Sequence, residues 1–273
     1  MTPIHLAAYY GFHGAIEKLR QNMDTPFVKE TMWGYNAIHL AALNGHLDTV
    51  QYLVALTDDP FAPSIIGWTP LHVAASEGHL NIVTYLTGLT DSPLMPDSGG
   101  FTPIHLAAQT AHLDIERHLV GFTEAPITRN IFGYTPIHSA ACGGNLDILK
   151  YLTGFTSAPN APDDDGNTPI HAAAIPGHLD VVKHLVSFTD TPNATNNFKL
   201  NFTGGETPIY LAAKYGHLEF VEYLVDFTCA PNAANQFGIT PIQIAKSSGN
   251  WHIAKFLEKY CYNHGAGWEW PTM

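Results

Sequence analysis

The sequence predicts an elongated all-α solenoid of about eight helix-turn-helix units. Its central motif, Thr-Pro-Ile-His-Leu-Ala-Ala, occupies residues 102–108. Close or degenerate copies begin at Thr2, Asn36, Thr69, Thr135, Thr168, Thr207 and Thr240, so successive copies start 34, 33, 33, 33, 33, 39 and 33 residues apart. A nearly constant period in this range indicates one supersecondary unit that repeats along the chain and stacks on its neighbours.

Each unit is predicted to contain two short helices. In the fifth unit, Thr135 has the side chain of an N-cap, and Pro136 occupies the first helical position, where proline is favoured. In the sixth unit, a second helix is expected to present one apolar face, formed by Leu179, Val182, Leu185 and Val186. First helices are expected to end at left-handed glycine caps, which are Gly45, Gly78, Gly144, Gly177, Gly216 and Gly249.

These features resemble the ankyrin repeat family. The Thr-Pro-x-His-x-Ala-Ala core, the Gly-His break, the leucines of the second helix and the glycine two residues before the threonine match that family's consensus over nearly the whole chain. The resemblance implies a curved stack of antiparallel helix pairs, with β-turn fingers at right angles and a concave face of fingers and first helices. We expect an ankyrin repeat domain over residues 1–260, with repeats starting near residues 1, 34, 67, 100, 133, 166, 205 and 238, and a C-terminal tail over residues 261–273.

Two departures from the repeat pattern carry further expectations. Six extra residues within the stretch 196–205 predict a longer finger before the seventh unit. In the last unit, Gln243 replaces the histidine of the motif, and the second helix carries Lys255, Glu258 and Lys259. A terminal repeat needs a polar outer face, so this unit is interpreted as the C-terminal cap of the stack.

Composition disfavours several classes of function. The chain carries 24 acidic and 12 basic side chains, and its formal charge of −12 disfavours nucleic acid, whose binding depends on lysine and arginine. No run approaches the ~18 apolar residues that a transmembrane helix needs, so no membrane insertion is expected. Three scattered cysteines and the lack of a leader predict a reducing, cytoplasmic location. The first unit lacks the loop that precedes every other copy, which suggests a fragment of a longer protein.

The 16 histidines raise the question of a metal site. Most fall into two columns, one at the histidine of the motif and one after the glycine cap. Packed helices lie about 8–10 Å apart, whereas imidazoles that share a zinc ion each lie about 2 Å from it. We therefore expect the motif histidines to form hydrogen bonds within and between repeats. We predict no metal, no cofactor and, because no catalytic motif is present, no enzymatic activity.

The residue before each motif threonine is the main candidate for partner recognition. This position is repeatedly aromatic, and aromatic residues flanked by polar groups are typical of interface hot spots. The alternative is that large residues here simply pack on the adjacent finger. The candidates at or beside this position are Trp33, Tyr35, Trp68, Phe101, Phe132 and Tyr134, together with the acidic residues Asp163, Asp164 and Asp165.

The ends of the first helices supply further candidates, because they vary between units and point toward the concave face. These candidates are Tyr9, Tyr10, Leu43 and Tyr215. We hypothesise that an extended segment of a partner protein lies along repeats two to five. Its apolar residues would contact the aromatic side chains, and a basic residue would lie near the three aspartates. The chain itself is expected to act as a monomer.

The resemblance also implies a candidate modification. Asparagines at the start of the finger in ankyrin repeats are substrates for asparaginyl hydroxylation in animal cells, and the matching residues are Asn160, Asn193 and Asn232. The alternative, which we favour, is that these are turn asparagines that bond to their own backbone.

The sequence as a whole predicts a non-enzymatic protein–protein interaction module. This prediction rests on the family resemblance and on the absence of catalytic motifs. The concave face of fingers and first helices would bind a segment of a partner protein. The alternative is that these repeats are the targeting or scaffold domain of a larger enzyme, effector or channel whose active part lies outside this sequence.

Overall fold

The computed structural model describes residues 2–20, 32–197 and 204–264, and in these ranges all regular secondary structure is helical. The chain divides into two compact units, residues 1–131 and residues 132–273. The helices of the first unit are α1 (Pro3–Tyr9), α2 (His13–Arg20), α3 (Ala37–Leu43), α4 (Leu47–Val54), α5 (Pro70–Glu77), α6 (Leu80–Thr87), α7 (Pro103–Gln109) and α8 (Leu113–Val120). The predicted all-α repeat fold is confirmed.

The second unit continues the same alternation of first and second helices. Its helices are α9 (Pro136–Gly143), α10 (Leu146–Thr153), α11 (Pro169–Ala174), α12 (Leu179–Leu185), α13 (Pro208–Tyr215), α14 (Leu218–Leu224), α15 (Pro241–Ser247) and α16 (Trp251–His264). Single 3₁₀ turns, Val186–Phe188 and Val225–Phe227, extend α12 and α14. None of the described helices is both long and apolar enough to cross a lipid bilayer.

The first helices begin where the motif predicts. Thr135 is the N-cap of α9 with an extended backbone, and Pro136 is its first residue. The alanine pair that follows is fully buried, as Ala74 and Ala75 show in α5. Small side chains at these two positions let neighbouring first helices, such as α3, α5 and α7, pack against one another.

The second helices bury a stripe of aliphatic side chains. In α12 the buried residues are Val181, Val182 and Leu185. The predicted face is therefore partly wrong, because Val181 belongs to it, whereas Leu179 and Val186 are only half-buried. α12 ends at Leu185, one residue before the end of the predicted apolar pattern, and Val186 already lies in the 3₁₀ turn.

The predicted glycine caps are confirmed, since Gly45, Gly78, Gly144, Gly177, Gly216 and Gly249 all have φ between 74° and 92°. In the fourth repeat the equivalent residue is Ala111, which adopts the same left-handed conformation with φ of 70°. A β-carbon in this conformation is sterically strained, which the sequence pattern alone did not reveal.

The last helix closes the second unit. α16 runs to His264, and its Cys261 is buried. Lys255 and Lys259 are exposed, and Lys246 of α15 forms an ion pair of 2.6 Å (Nζ to Oε1) with Glu258. The division between repeat domain and tail at residue 260 stays a prediction, and it falls inside this helix. Most of the expected long finger, 198–203, and the tail from residue 265 lie outside the described residues.

We expect Ala111→Gly to raise the free energy of unfolding by roughly 0.5–1 kcal/mol, because glycine removes the strain of a left-handed alanine. The matched change is Gly78→Ala, in which the new β-carbon would overlap the ring of His112. This change should lower the free energy of unfolding by about 2 kcal/mol or more. Urea unfolding of both variants measures these effects, and equal stabilities would contradict the assignment of the two caps.

Glu116 is the second exception to the repeat pattern, because it occupies the buried stripe of α8 where α6 has Val83. It is fully buried, and neither carboxylate oxygen has a hydrogen-bond partner among the described residues. Burial raises the pKa of its carboxyl well above the ordinary value of 4.5. The folded state therefore holds a proton that the unfolded chain releases, and stability should fall as pH rises above that value.

We expect Glu116→Leu to increase the free energy of unfolding at neutral pH by about 1–3 kcal/mol, because it removes an unsatisfied polar group from the core. Glu116→Gln should remove the pH dependence without restoring apolar packing. Urea unfolding between pH 4 and pH 8 measures both effects, with the exposed Glu124→Gln as the control. The buried histidines change stability in the opposite direction over this range, so the difference between the two proteins is diagnostic, and an identical pH dependence of wild type and Glu116→Gln would refute this account.

Candidate partner-binding surface

The motif histidines join each first helix to the next repeat. The Nδ1 atom of His72 accepts a hydrogen bond from the backbone N–H of Thr69 at 3.2 Å and lies 2.9 Å from the Thr69 hydroxyl. Because Nδ1 is an acceptor, the ring proton is on Nε2, which donates to the carbonyl of Phe101 at 3.2 Å. The predicted bonds within and between repeats are confirmed, and they recur from His39 to Trp68 (2.8 Å), from His138 to Asn167 (3.0 Å) and from His171 to Glu206 (3.3 Å).

Each carbonyl that accepts from a motif histidine belongs to a finger, the tight turn that precedes a first helix. In the finger before α7, the side chain of Asp97 accepts from the backbone N–H groups of Gly99 and Phe101, both at 2.8 Å. The Asp97 N–H donates to the carbonyl of Phe101 at 2.8 Å. A further backbone bond, from Ser98 to the carbonyl of Ile66 at 3.1 Å, links this finger to the previous one. The fingers are thus fixed on both sides.

The aromatic candidates before the motif threonine rest on the motif histidines. The ring of Tyr35 stacks on His39 at 5.0 Å between centroids, and Trp68 stacks on His72 at 6.5 Å. The Trp68 Nε1–H also donates to the carboxylate of Asp97 at 2.9 Å. Phe101 meets His105 edge-on at 5.6 Å. In the first unit these rings are half-buried parts of the scaffold with one edge left open.

In the second unit, Tyr134 occupies the equivalent position, directly before the motif threonine. Its ring lies 4.7 Å from that of His138, and its hydroxyl donates to the His138 carbonyl at 3.2 Å. Burial, with Cys142 beside the hydroxyl, holds the pKa of Tyr134 well above its ordinary value. The phenol is therefore neutral and structural, although part of the ring remains accessible.

The finger tips carry the exposed apolar surface. In the first unit, Trp33 is 55% exposed and Ile65 is 71% exposed, and a hydrogen bond of 3.1 Å from the Ile65 N–H to the Trp33 carbonyl holds the two tips together. Ile66 beside them is also exposed. The isoleucines were missed by sequence reasoning, which followed aromatic residues only. In the second unit, Phe132 occupies the corresponding tip and is 57% exposed.

The three aspartates of the sixth finger have different roles. The side chain of Asp163 accepts from the backbone N–H groups of Asp165 (3.0 Å) and Asn167 (2.8 Å), so it holds its own finger as Asp97 does. Asp163 therefore has a structural role in its finger, and the expected contact of a basic partner residue with the three aspartates stays a prediction. Asp164 is exposed and Asp165 is half-exposed at the finger tip.

The first-helix ends are positioned by the second histidine column. The Nε2–H groups of His46 and His79 reach back to the carbonyls of Tyr9 (3.0 Å) and Leu43 (3.1 Å), and His217 does the same to Ile175 (2.9 Å). Among the candidate side chains at these ends, Tyr10 and Tyr215 are exposed, and Tyr9 and Leu43 are half-buried.

The second unit contains a cavity of about 310 Å³ between its fingers and first helices. Its walls include Tyr134, Asn167, Glu206, Lys214 and Tyr215. Sequence reasoning placed Glu206 in the column of candidate positions but did not select it, because nothing in the sequence shows that it is buried.

The candidate hydroxylation sites have a structural role that differs from the one expected. The Oδ1 atoms of Asn193 and Asn232 accept, both at 3.0 Å, from the backbone N–H groups of Ile209 and Ile242. Asn160 makes the equivalent contact with Ile170 at 3.4 Å. These backbone N–H groups belong to the first turn of the helix that follows each asparagine. The expectation that the asparagines bond to their own backbone is therefore wrong. Hydroxylation itself stays a prediction.

In residues 2–20, 32–197 and 204–264, no group of three or more His, Cys, Asp or Glu side chains is arranged to hold a metal ion. The histidine columns are instead engaged with backbone groups, as the bonds above show. The surface therefore offers apolar finger tips, aromatic edges and a few carboxylates, which suits contact with a polypeptide.

Comparison with protein families matches the chain to ankyrin repeats. A model of three ankyrin repeat copies matches residues 1–62 and 117–196, which is more than half of the chain. Models of many copies match residues 38–87 and 193–245, and a single-repeat model matches residues 99–129. A search of curated proteins gave no significant match.

Acid should weaken the histidine links. Burial lowers the pKa of His72 from 6.5 to about 4, because it removes the charged ring from water; the hydrogen bond to the Phe101 carbonyl and the charge of Asp97 only partly offset this. The unfolded chain therefore binds a proton between these values that the folded state does not, and stability should fall as pH drops from 6.5 toward 4. At about 1.4 kcal/mol per pKa unit, His72 alone accounts for up to about 3 kcal/mol of this loss.

We expect His72→Gln to reduce the acid-induced loss of stability by up to this amount. Glutamine is the matched replacement because Gln243, at the same position in the last repeat, accepts from the Thr240 N–H at 2.8 Å. At pH 7 the free energy of unfolding of the variant should be lower by about 1 kcal/mol if glutamine does not form the hydrogen bond to the Phe101 carbonyl. Urea unfolding at pH 7 and pH 4.5 tests this, with the exposed His252→Gln as the control. An identical pH dependence in both variants would refute the role of His72.

Proposed function

Because the chain belongs to the ankyrin repeat family, we propose that it binds a segment of a partner protein on the surface formed by its fingers and first helices. Ankyrin repeats are generally protein–protein interaction modules and are typically non-catalytic. The chain is proposed to act as a monomer and without a cofactor.

The exposed apolar side chains on fixed fingers are the observation that carries this proposal. Trp33 and Ile65 in the first unit are more than half exposed, although their backbones are hydrogen-bonded to each other. Burial of such surface contributes about 25 cal/mol per Å² to association. Because the fingers are already ordered, little conformational entropy is lost when a partner binds.

The proposed contact residues fall into two groups. Exposed or half-exposed side chains make direct contact, and these are Trp33, Tyr10, Phe132, Tyr215, Asp164 and Asp165. The half-buried rings offer an edge to the partner while they hold the fingers, and these are Tyr35, Trp68, Phe101 and Tyr134. Apolar and basic residues in the partner would match the first group and the net charge of −12.

We expect the double change Trp33→Ser with Ile65→Ser to weaken partner binding at least about tenfold, because exposed aromatic and aliphatic anchors dominate interface energetics. Folding stability should change little, since both side chains project into solvent. The measurement is affinity purification of partners from source cells with mass spectrometry, followed by titration calorimetry with the purified partner.

The matched control is Tyr262→Ser, which removes an even more exposed large side chain from α16, a second helix. The control should recover the same partners as the wild type. Equal recovery and equal affinity in the double variant would show that the finger tips of the first unit are not the binding surface. Trp68 and Tyr134 are unsuitable for this test, because their loss also removes hydrogen bonds of the scaffold.

A further inference from the structure

Glu206 is a mostly buried acid in a position where repeats two to six have an aromatic or amide side chain and the last repeat has Ile239. It lies directly before the N-cap Thr207 of α13 and is 7% exposed. Its backbone is held at three points, by Nε2 of His171 at 3.3 Å, by Oδ1 of Asn196 at 2.9 Å and by the Asn196 N–H at 3.0 Å. The residue therefore cannot move toward solvent without loss of the finger.

The carboxylate of Glu206 faces the cavity described above and has no protein partner. Within 2–20, 32–197 and 204–264, no hydrogen bond or ion pair to this group is found. Burial raises the pKa of Glu206, and the nearby charge of Lys214 only partly offsets this effect. Unlike those of Glu116, the carboxylate oxygens of Glu206 are not fully enclosed. A largely buried carboxylate that opens on a cavity and has no protein partner is suited to a ligand of opposite charge.

The surroundings of the cavity favour a cation. Asp163 contributes a second carboxylate to the wall, and burial lowers the pKa of His171 to about 4, so that this ring adds no charge at neutral pH. Lys214 is the one cation in the wall, and its Nζ lies over the ring of Tyr215 at 5.5 Å. Tyr215 is half exposed, so this ammonium sits at the mouth. The described wall carries a net negative charge.

The size and lining of the cavity fit one side chain. Its volume of about 310 Å³ is at the lower end of the range for small-molecule pockets. The rings of Tyr134 and Tyr215 and the side chains of Ile175 and Leu211 offer apolar and aromatic contact. A planar guanidinium on an aliphatic stem can stack on such rings and bond a carboxylate through two N–H groups.

We propose that this cavity is a specificity pocket for an arginine side chain of the bound partner segment, with Glu206 as its counter-ion. The inference rests on the proposed function, because it identifies what one part of the same surface recognises. The guanidinium enters past Lys214 and Tyr215 and donates to the Glu206 carboxylate, and the tyrosine rings cover its faces.

The test is a selection of random peptides displayed on phage against the purified full chain, with and without counter-selection on the Glu206→Gln variant. Glutamine preserves the shape of the side chain and removes the charge. Peptides that survive counter-selection should be enriched in arginine. The selected sequence is then synthesised with arginine and with citrulline, which has the same shape without the charge.

Titration calorimetry of both peptides against wild type and Glu206→Gln completes a double-mutant cycle. Citrulline should weaken binding to the wild type about tenfold or more, and should have little effect in the variant. Lys214→Gln should tighten binding of the arginine peptide. Glu222→Gln, an exposed change in the second helix of the same repeat, should leave all affinities unchanged.

Four outcomes would overturn the inference. Surviving peptides that lack arginine, or an equal effect of citrulline in both proteins, would refute the arginine pocket but leave the interaction module intact. Enrichment of acidic residues, with binding lost in Lys214→Gln, would show that the pocket binds anions. If no peptide binds even without counter-selection, both this inference and the proposed peptide-binding function fail.

Discussion

The hydrogen-bonded motif histidine, present in the first six repeats, is the interaction on which much of the remaining structure depends. In the third repeat, the Nδ1 of His72 satisfies the N-cap of its own helix, while Nε2–H binds the carbonyl of Phe101 in the next finger. The ring must be neutral and in one tautomer to do both, and its burial ensures this. Helix start, finger position and repeat spacing are therefore set by a single side chain. The aromatic residues stack on these rings, so the candidate surface inherits its order from the same interaction.

The local parts of this arrangement could be predicted from the sequence. A threonine N-cap, a proline at the first helical position and a glycine at the left-handed end each act within a few residues, so their chemistry is visible in the motif. The motif histidines were interpreted correctly for the same reason, since Thr69 and His72 are only three residues apart. The family resemblance extended these local expectations to the stacking of the repeats.

Other features could not be read from the motif because they depend on packing at a distance. Val181 belongs to the buried face of α12, whereas Val186 lies in the 3₁₀ turn that follows the helix. Asn232 reaches the amide of Ile242 in the next repeat, and Asp163 uses its carboxylate to hold its own finger. The Glu206 cavity is lined by side chains from several fingers and helices, which are far apart in the sequence. The apolar surface of the finger tips could not be predicted either, because Ile65 lies beside Trp33 only in the folded chain.

The two histidine columns bridge in opposite directions. His72 donates forward to the finger of the following repeat, whereas His79 of the same repeat donates back to the carbonyl of Leu43 in the preceding one. An interior repeat is thus completed only by a neighbour on each side, and a repeat cut out at the sequence boundaries would lose both bonds. The smallest piece with one fully satisfied repeat is therefore three consecutive repeats, which agrees with the number of stacked units that repeat proteins generally need for stability.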